Sequence, residues 1–574
     1  MTATTSSLGS RGAVLGLCAY THDSAAALLV DGELVGFAEE ERLTGEKHTK
    51  AFPIETVSRL LADAGLTVGQ VAAVGYNFQP QGYRSALLQL PGHLLRPSTR
   101  ARALARARSF AKVARRTEGR LRQIASHFPN AQVVPVLHHR AHGLYAFASS
   151  GYDDAAVLIA DSLGEKQTTT IAHARLDGSG AVSYRIVEAI DDPASIGYVY
   201  GAVTEHLGWR RGDEEGTVMA LAALGDPARF RALFAQAVPL TETGFAVEPR
   251  LFPLRVLSSR VPRISLAFAA ATCPPRRPAG EVEAVHADLA AALQERTEQV
   301  MLHLAERARR ATGSGLLCLG GGVATNCVAA GQIAQSGLFD EVHVPPAPGD
   351  AGTAVGAALG VTDTRAAGIA GRCYLGPAFP NLQLSAEPRP GLKAEQVDDP
   401  ARFLARALAD GAIVGLFQGR LEAGPRALGN RSILASPLLP DVVSRLNGAV
   451  KFREPFRPFA PVVLAQAAGA YFTLPQSSPF MSFACPVTDL ARATIPAVVH
   501  ANGTARVQTL EPQANLFLAR VLSEFAAITG VPVLINTSLN VKGQPIAGTP
   551  EAALDALILS GLDALMLEGW WVTK

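Results

Sequence analysis

The sequence predicts a mixed α/β protein of more than one domain, and three observations carry that reading. Short apolar runs of strand length alternate with helical periodicities over most of the chain. Several of these runs end in Gly, His or Asp, where open α/β sheets place ligands, at the carboxyl ends of strands. Between Thr362 and Pro400 the pattern weakens and Gly and Pro accumulate, which predicts domains at 1–370 and 395–574.

Taken in order, Ala13–Cys18 reads as a strand, and Ser24–Val30 and Leu34–Glu39 form a hairpin about the Asp31-Gly32 turn. Pro53–Ala64 has helical periodicity, while Val133–Leu137, Ala156–Ala160 and Gly315–Leu319 read as buried strands. Thr353–Leu359 reads as a helix. The second domain opens with a helix at Ala401–Ala409, after Asp398-Asp399, and a strand at Ile413–Phe417. A further strand, Val531–Ile535, leads to Asn536-Thr-Ser538.

The 574 residues hold roughly three to four domains' worth of material, and 48% hydrophobic with 18% charged residues is a globular mix. Lys and Arg number 52 against 50 Asp and Glu, a balance that argues against bulk nucleic-acid coating. No apolar run approaches the roughly twenty residues of a membrane span. Met1–Arg11 is polar and lacks an export pattern. Six scattered cysteines without a CxxC pair fit a reducing cytosol, so a cytoplasmic enzyme is expected. Arg96–Arg122 carries nine arginines and Lys112 against the single acid Glu118. We read it as a solvated helical face over a stripe of Leu104, Phe110, Val113 and Leu121, in preference to a nucleic-acid surface.

Chemistry is suggested at several points. In His138-His-Arg-Ala-His142, a helix would put His138 and His142 on one face, where two imidazoles can share a metal ion. His139 lies three before His142, so spacing does not single out one pair, and capping histidines are an alternative. Asp161 ends an apolar strand and Asp350 sits in a Pro/Gly loop; each could add an oxygen ligand, or serve as an Asx turn and a helix N-cap. Gly320, Gly321 and Gly322, followed by Asn326, could let backbone N–H groups approach a phosphate, or form only a tight turn. The second domain gathers Arg420, Arg426, Arg431, Lys451, Arg453, Arg457 and Arg506, with Asn536 and Ser538 at a strand end. Guanidinium forks match phosphate geometry, so a highly anionic ligand such as a nucleotide with a second phosphate is expected there.

These motifs, in collinear order over nearly the whole chain, resemble the antibiotic- and Nod-factor-type (NodU/tobramycin-type) O-carbamoyltransferases. The resemblance rests on His22-Asp-Ser-Ala25, Glu39-Glu-Glu-Arg42, Lys47-His48, HHRAH at 138–142, the strand ending in Asp161, and GGGVATN at 320–326. It continues through PPAPGDAG at 345–352, YLGP at 374–377, GPRALGNRS at 424–432, FRPFAP at 456–461 and NTSLN at 536–540. The resemblance implies a threonylcarbamoyltransferase-like first domain of the actin/sugar-kinase/Hsp70 superfold, with a threonylcarbamoyl-adenylate-synthase-like second domain. The second domain would convert carbamoyl phosphate and ATP, with Mg²⁺, to carbamoyl-adenylate. The first would pass the carbamoyl group to a small-molecule acceptor with a free hydroxyl. Carried over by motif, His138, His142, Asp161 and Asp350 would hold Fe²⁺ (or Zn²⁺), and His22 would help deprotonate the acceptor. Arg426, Lys451, Arg457, Arg506, Asn536 and Ser538 would contact carbamoyl phosphate and ATP.

Two positions depart from the pattern: Glu215-Gly-Thr217-Val-Met219 lacks the lysine frequent in relatives, and Ala330 replaces a second asparagine. The match is weak across Gln79–Ala131 and Asp226–Gly280, which makes these stretches candidates for acceptor recognition. A homodimer is the assembly considered. The alternatives are a tRNA threonylcarbamoyl-type enzyme and a nucleotide-dependent scaffold without catalysis.

Overall fold

The structure, a computed structural model, describes residues 12–258 and 261–574. Met1–Arg11 lies outside the described residues, as do Ser259 and Arg260 within the Asp226–Gly280 stretch. The chain forms two units. The first holds the stretch ending at Tyr20, Ala27–Val35 and Gly65–Gly371; the second holds Thr21–Ala26, Gly36–Ala64 and Arg372–Lys574.

Two five-stranded sheets organise the first part of the chain. The wholly buried run Ala13–Cys18 is β1, the alanine-rich Ala25–Val30 is β2, and Glu33–Glu39 is β3 across the expected turn. With β4 (Val71–Tyr76) and β5 (Gln132–Pro135) they make a sheet of order β3-β2-β1-β4-β5. The chain then repeats the scheme with β6 (Asp154–Ala160), β7 (Gln167–Leu176) and β8 (Val182–Asp191). After a two-stranded ribbon of β9 (Leu240–Thr241) and β10 (Gly244–Phe245) come β11 (Leu316–Gly320) and β12 (Glu341–His343). The second sheet has the order β12-β11-β6-β7-β8. In both sheets the third, second and first strands are followed by a fourth and fifth parallel to the first. That duplicated order is the one expected of the actin/sugar-kinase/Hsp70 superfold. The strand expected at Val133–Leu137 is short, partly exposed and at the sheet edge, because the chain turns into a helix at His138.

The second unit is built on an eight-stranded mixed sheet. Its strands are β13 (Lys393–Gln396), β14 (Val414–Phe417), β15 (Arg431–Ala435), β16 (Ala460–Leu464) and, after a hairpin of β17 (Ala484–Pro486) and β18 (Thr504–Arg506), β19 (Gln508–Leu510). They continue with β20 (Val533–Ser538), β21 (Ala564–Leu567) and β22 (Trp570–Thr573), in the order β13-β22-β21-β14-β15-β20-β16-β19. Side chains alternate between two cores, as strand geometry requires. Leu416, Leu434 and Leu534 face one core with the helix Leu516–Thr529, while Phe417, Ile433 and Ile535 face the other. Among the described residues no helix is long and apolar enough to cross a membrane.

The basic segment is a helix, Pro97–His127, but its stripe differs from the expected one. Thr99, Ala103, Arg106, Phe110, Ala114, Thr117 and Ile124 are buried, and Leu104 is 52% exposed. At 100° per residue Leu104 falls on the arginine face, away from Phe110.

Candidate active site

The helix His138–Ser150 starts where β5 ends, and its first turn carries the histidine pair. Glu165, buried at 2% exposure, accepts the His138 N–H at 3.2 Å and the Gln79 N–H at 2.8 Å, so a carboxyl group caps the helix N-terminus. Sequence reasoning missed this residue, since it acts through backbone groups distant in the chain. On the far side, Gly356 lets the helix Thr353–Thr362 approach closely: a Cβ there would lie 1.7 Å from the Ala141 carbonyl oxygen.

His138, His142, Asp161 and Asp350 converge, with one donor atom from each inside a 4.8 Å span. The two Nε2 atoms are 3.1 Å apart, and His138 Nε2 lies 3.5 Å from both Asp161 Oδ2 and Asp350 Oδ1. All four residues are at most 8% exposed. His138 stacks on Phe78 with ring centroids 4.5 Å apart, and its Nδ1 lies 3.3 Å from the Asn77 carbonyl oxygen. An N–H at Nδ1 donated to that carbonyl orients the ring, so that loss of the Nε2 proton would leave a lone pair there for a metal ion. Burial alone would depress the His138 pKa, but the Asp350 and Asp161 carboxylates outweigh it and raise the pKa well above the usual imidazole range. Burial opposes ionisation of Asp161 as well; its hydrogen bond with His138 and the histidine charges hold it well below the usual carboxylate range.

His139 is separated from this group. Its Nδ1 lies 3.2 Å from Thr170 Oγ1, and burial pushes its pKa down to about 3. The glycine loop serves Asp161 directly, because the Gly322 N–H donates to Asp161 Oδ1 at 3.1 Å. Gly321 has φ +87°, and a Cβ there would meet the Ala160 carbonyl oxygen at 2.3 Å. Asn326 caps the helix Cys327–Gln335 by accepting the Ala329 N–H, and its amide donates to Gln294. The two nitrogens and two carboxylates form a donor set suited to iron or zinc.

The second unit holds the cationic cluster. Lys451 is buried, and its Nζ lies among four acceptors that share its three protons: Asn540 Oδ1 at 2.7 Å, Asn540 O at 3.1 Å, Ser538 Oγ at 3.2 Å and the Ser538 carbonyl. Burial, then the charges of Arg453 and Arg457, push its pKa well below the ordinary lysine value. Arg453 lies near Arg457 and Arg506, and burial with the charges of those neighbours lowers it to about 9. Asn536 Nδ2 donates to Gln508 Oε1 at 2.7 Å and to the Ala427 carbonyl at 3.3 Å, which ties it to the loop bearing Arg426. Asn536 Oδ1 and Arg506 Nε are buried without a hydrogen-bond partner among the described residues. Buried polar atoms of that kind suit a ligand that accepts and donates hydrogen bonds.

Two arginines of the sequence cluster belong to the scaffold. Arg431 is fully buried, stacks 3.6 Å over Phe417 and donates to the Gln418 and Gly419 carbonyls. Arg420 donates to the Gly376 and Leu375 carbonyls. His22 is also in this unit. Its Nδ1 lies 3.1 Å from Asp23 Oδ2, while Asp23 Oδ1 faces His48 Nδ1 at 2.6 Å. Burial opposes ionisation of Asp23, yet these two histidines hold it well below the usual range.

Comparison with known proteins matches residues 13–359 to the carbamoyltransferase N-terminus and residues 405–574 to the carbamoyltransferase C-terminus. An uncharacterised protein of Synechocystis sp. is 33% identical over 98% of this chain and 96% of its own length. Nodulation protein NolNO of Sinorhizobium fredii is 32% identical over 97% of this chain and 79% of its own. Nodulation protein NolO of Bradyrhizobium diazoefficiens is 36% identical over 76% of this chain and 78% of its own. With both halves matched and relatives of this identity along most of its length, the chain belongs to the NodU-type carbamoyltransferase family and is a transferase.

Proposed function

We propose that the protein is an ATP-dependent O-carbamoyltransferase acting on a hydroxyl of a small natural product. The observation that supports this most is the buried convergence of His138, His142, Asp161 and Asp350. It lies in a different unit from a cationic cluster with unpartnered polar atoms, as a two-step activation and transfer needs.

In the first step carbamoyl phosphate is cleaved by water to carbamate and phosphate. A carbamate oxygen then attacks the ATP α-phosphorus, and pyrophosphate leaves with the Pα–O bond electrons, giving carbamoyl-adenylate. Arg457, Arg506 and Lys451 offset the charge that builds on the transferring phosphoryl oxygens, and Mg²⁺ accompanies ATP. Arg426, Asn536 and Ser538 orient the carbamoyl and phosphate groups.

In the second step the acceptor hydroxyl oxygen attacks the carbamoyl carbon and AMP leaves. His138, His142, Asp161 and Asp350 would hold Fe²⁺ or Zn²⁺, which supplies Lewis acidity toward a substrate oxygen when bound. The hydroxyl proton goes to a base, the role that the family resemblance gives to His22, whose Nδ1 lies 3.1 Å from Asp23 Oδ2. Gly320, Gly321, Gly322 and Asn326 line the approach for the nucleotide.

The test is incubation with carbamoyl phosphate, ATP and Mg²⁺, following AMP and pyrophosphate, then an acceptor panel read by mass for one added carbamoyl group. Pyrophosphate release dependent on carbamoyl phosphate is expected. Its absence across the panel rejects the reading.

A further inference from the structure

Three buried charged residues of the first unit take no part in the function above. Asp192 is 1% exposed, Arg106 3% and Arg255 6%. Arg106 Nη1 donates to Asp192 Oδ2, and Arg255 Nε lies 2.9 Å from Asp192 Oδ1. Each guanidinium also covers an aromatic ring, Arg106 over Phe110 at 4.2 Å and Arg255 over Tyr198 at 4.3 Å. Two buried guanidiniums therefore share one buried carboxylate, and the ring faces are weak substitutes for a second anion.

Arg106 also donates to Gln89 Oε1 at 3.2 Å, and the two nearest acids have partners of their own. Glu205 is paired with Arg263 at 2.7 Å, and Glu215 accepts the Gly212 N–H at 2.6 Å beside Arg211. Burial first, and then the charges of Arg263 and Arg255, lower Arg211, while Glu205 and Glu215 act against that shift. Arg255 Nη2 is buried and makes no hydrogen bond among the described residues. A buried cation with an unused donor is strongly unfavourable unless something completes it.

The cluster adjoins the candidate metal centre. Ser195, three residues after Asp192, donates from Oγ to the Ser162 carbonyl at 2.8 Å and to the Asp161 carbonyl at 3.4 Å. The Asp161 carboxylate is near enough to act on the charge of Arg255.

We propose that Arg255, braced by Asp192, Arg106 and Tyr198, forms an oxyanion-binding subsite beside the candidate metal centre, where it takes a substrate carboxylate or phosphate. The proposal rests on the carbamoyl-transfer reading and deepens it by naming a negatively charged group among those the first unit binds. That group comes either from the acceptor, as an acid it carries, or from the activated donor, as its phosphate. A guanidinium fork suits either oxyanion.

The test uses the full chain in an Arg506→Ala background, which weakens phosphate binding at the cationic cluster of the second unit. Orthophosphate, acetate and AMP are titrated by calorimetry against this protein and against versions carrying Arg255→Met or Arg255→Lys. Arg255→Met is expected to weaken orthophosphate binding about tenfold or more, with near-ultraviolet circular dichroism unchanged. Arg255→Lys, which keeps the charge but loses the fork, is expected to weaken it about threefold. An equal loss for AMP assigns the subsite to the donor phosphate. A loss for orthophosphate and acetate with AMP unaffected assigns it to an acid on the acceptor. Unchanged affinity for all three probes in a folded Arg255→Met protein overturns the proposal; where that variant does not fold, unchanged affinity in Arg255→Lys does so. Because the readout is equilibrium binding, it stands whether or not pyrophosphate is released from carbamoyl phosphate and ATP.

Discussion

His138 is held from three sides, by Phe78 against its ring, by Asn77 at Nδ1 and by two carboxylates at Nε2. Replacing it with Ala removes one donor of the set and leaves both acids. The expected outcome for His138→Ala is loss of bound iron or zinc by elemental analysis and loss of carbamoyl transfer, with pyrophosphate release retained. Arg506→Ala should do the opposite, lowering pyrophosphate release about 10²–10³-fold, the usual scale for deleting one group that stabilises developing charge, while metal content stays constant. If both variants lose the same half-reaction, the division of labour is wrong. Much of this site is legible in the sequence. An i, i+4 histidine pair and an acid at a strand end are local patterns, and helix and strand geometry bring them together. The exclusion of His139 is not legible, because it depends on which helix face meets Thr170. Nor are Glu165 or the sharing of Asp192 by two arginines, since these join residues far apart in the chain through groups that carry no spacing signal.

At the scale of elements, the approach of two helices positions the histidines. The Ala141 carbonyl lies where a Gly356 side chain would be, between the two metal-ligand candidates of the first turn. Gly356→Ala must push the helices apart, and overpacking of that kind costs about 1–3 kcal/mol or more. A lowered thermal midpoint together with weakened metal binding is expected; an unchanged midpoint would show that the helices can yield. Elements themselves are well foreseen where apolar runs are long. β1 has the boundaries that its composition predicts, and β2, β3, β6 and β11 differ by a residue or two at an end. The strand expected at Val531–Ile535, with Asn536 to Ser538 closing it, runs from Val533 to Ser538, so Asn536 is a ladder residue opposite Leu434. Polar residues near the end of a central strand break the apolar pattern that would mark its extent. The arginine helix departs from its expected stripe in detail: Arg106 turns inward to Asp192, and Leu104 turns out.

For the molecule as a whole, acid is the expected route to loss of structure. Burial pushes His343 down to about 3, and burial with Arg506 nearby pushes His500 down to about 4. Both are neutral in the fold and would titrate near 6.5 when unfolded. The unfolded chain therefore binds more protons below pH 6.5, and stability present above that value is lost as pH falls toward the folded pKa values. Each contributes a slope of about 1.4 kcal/mol per pH unit in that window. Denaturant midpoints measured from pH 7 to 5 should fall, and His343→Gln should remove one histidine's share of the fall.

The second unit also draws on residues from near the start of the chain. Gly424 donates its N–H to Glu39 at 2.8 Å, Arg42 donates to the Gly424 carbonyl at 2.8 Å, and Gly548 closes on the Arg42 backbone. A fragment of residues 372–574 lacks Glu39 and Arg42, and should be insoluble or molten unless a peptide covering 21–64 is supplied. Synthesis on the ribosome runs in one direction at about 5–20 residues per second. The early segment must therefore wait roughly half a minute or longer for its partners to emerge, holding its apolar strands and its Glu39–Arg42 pair in an unfinished state. Codon choice and chaperone supply during that interval then become determinants of yield, quite apart from how stable the finished enzyme is.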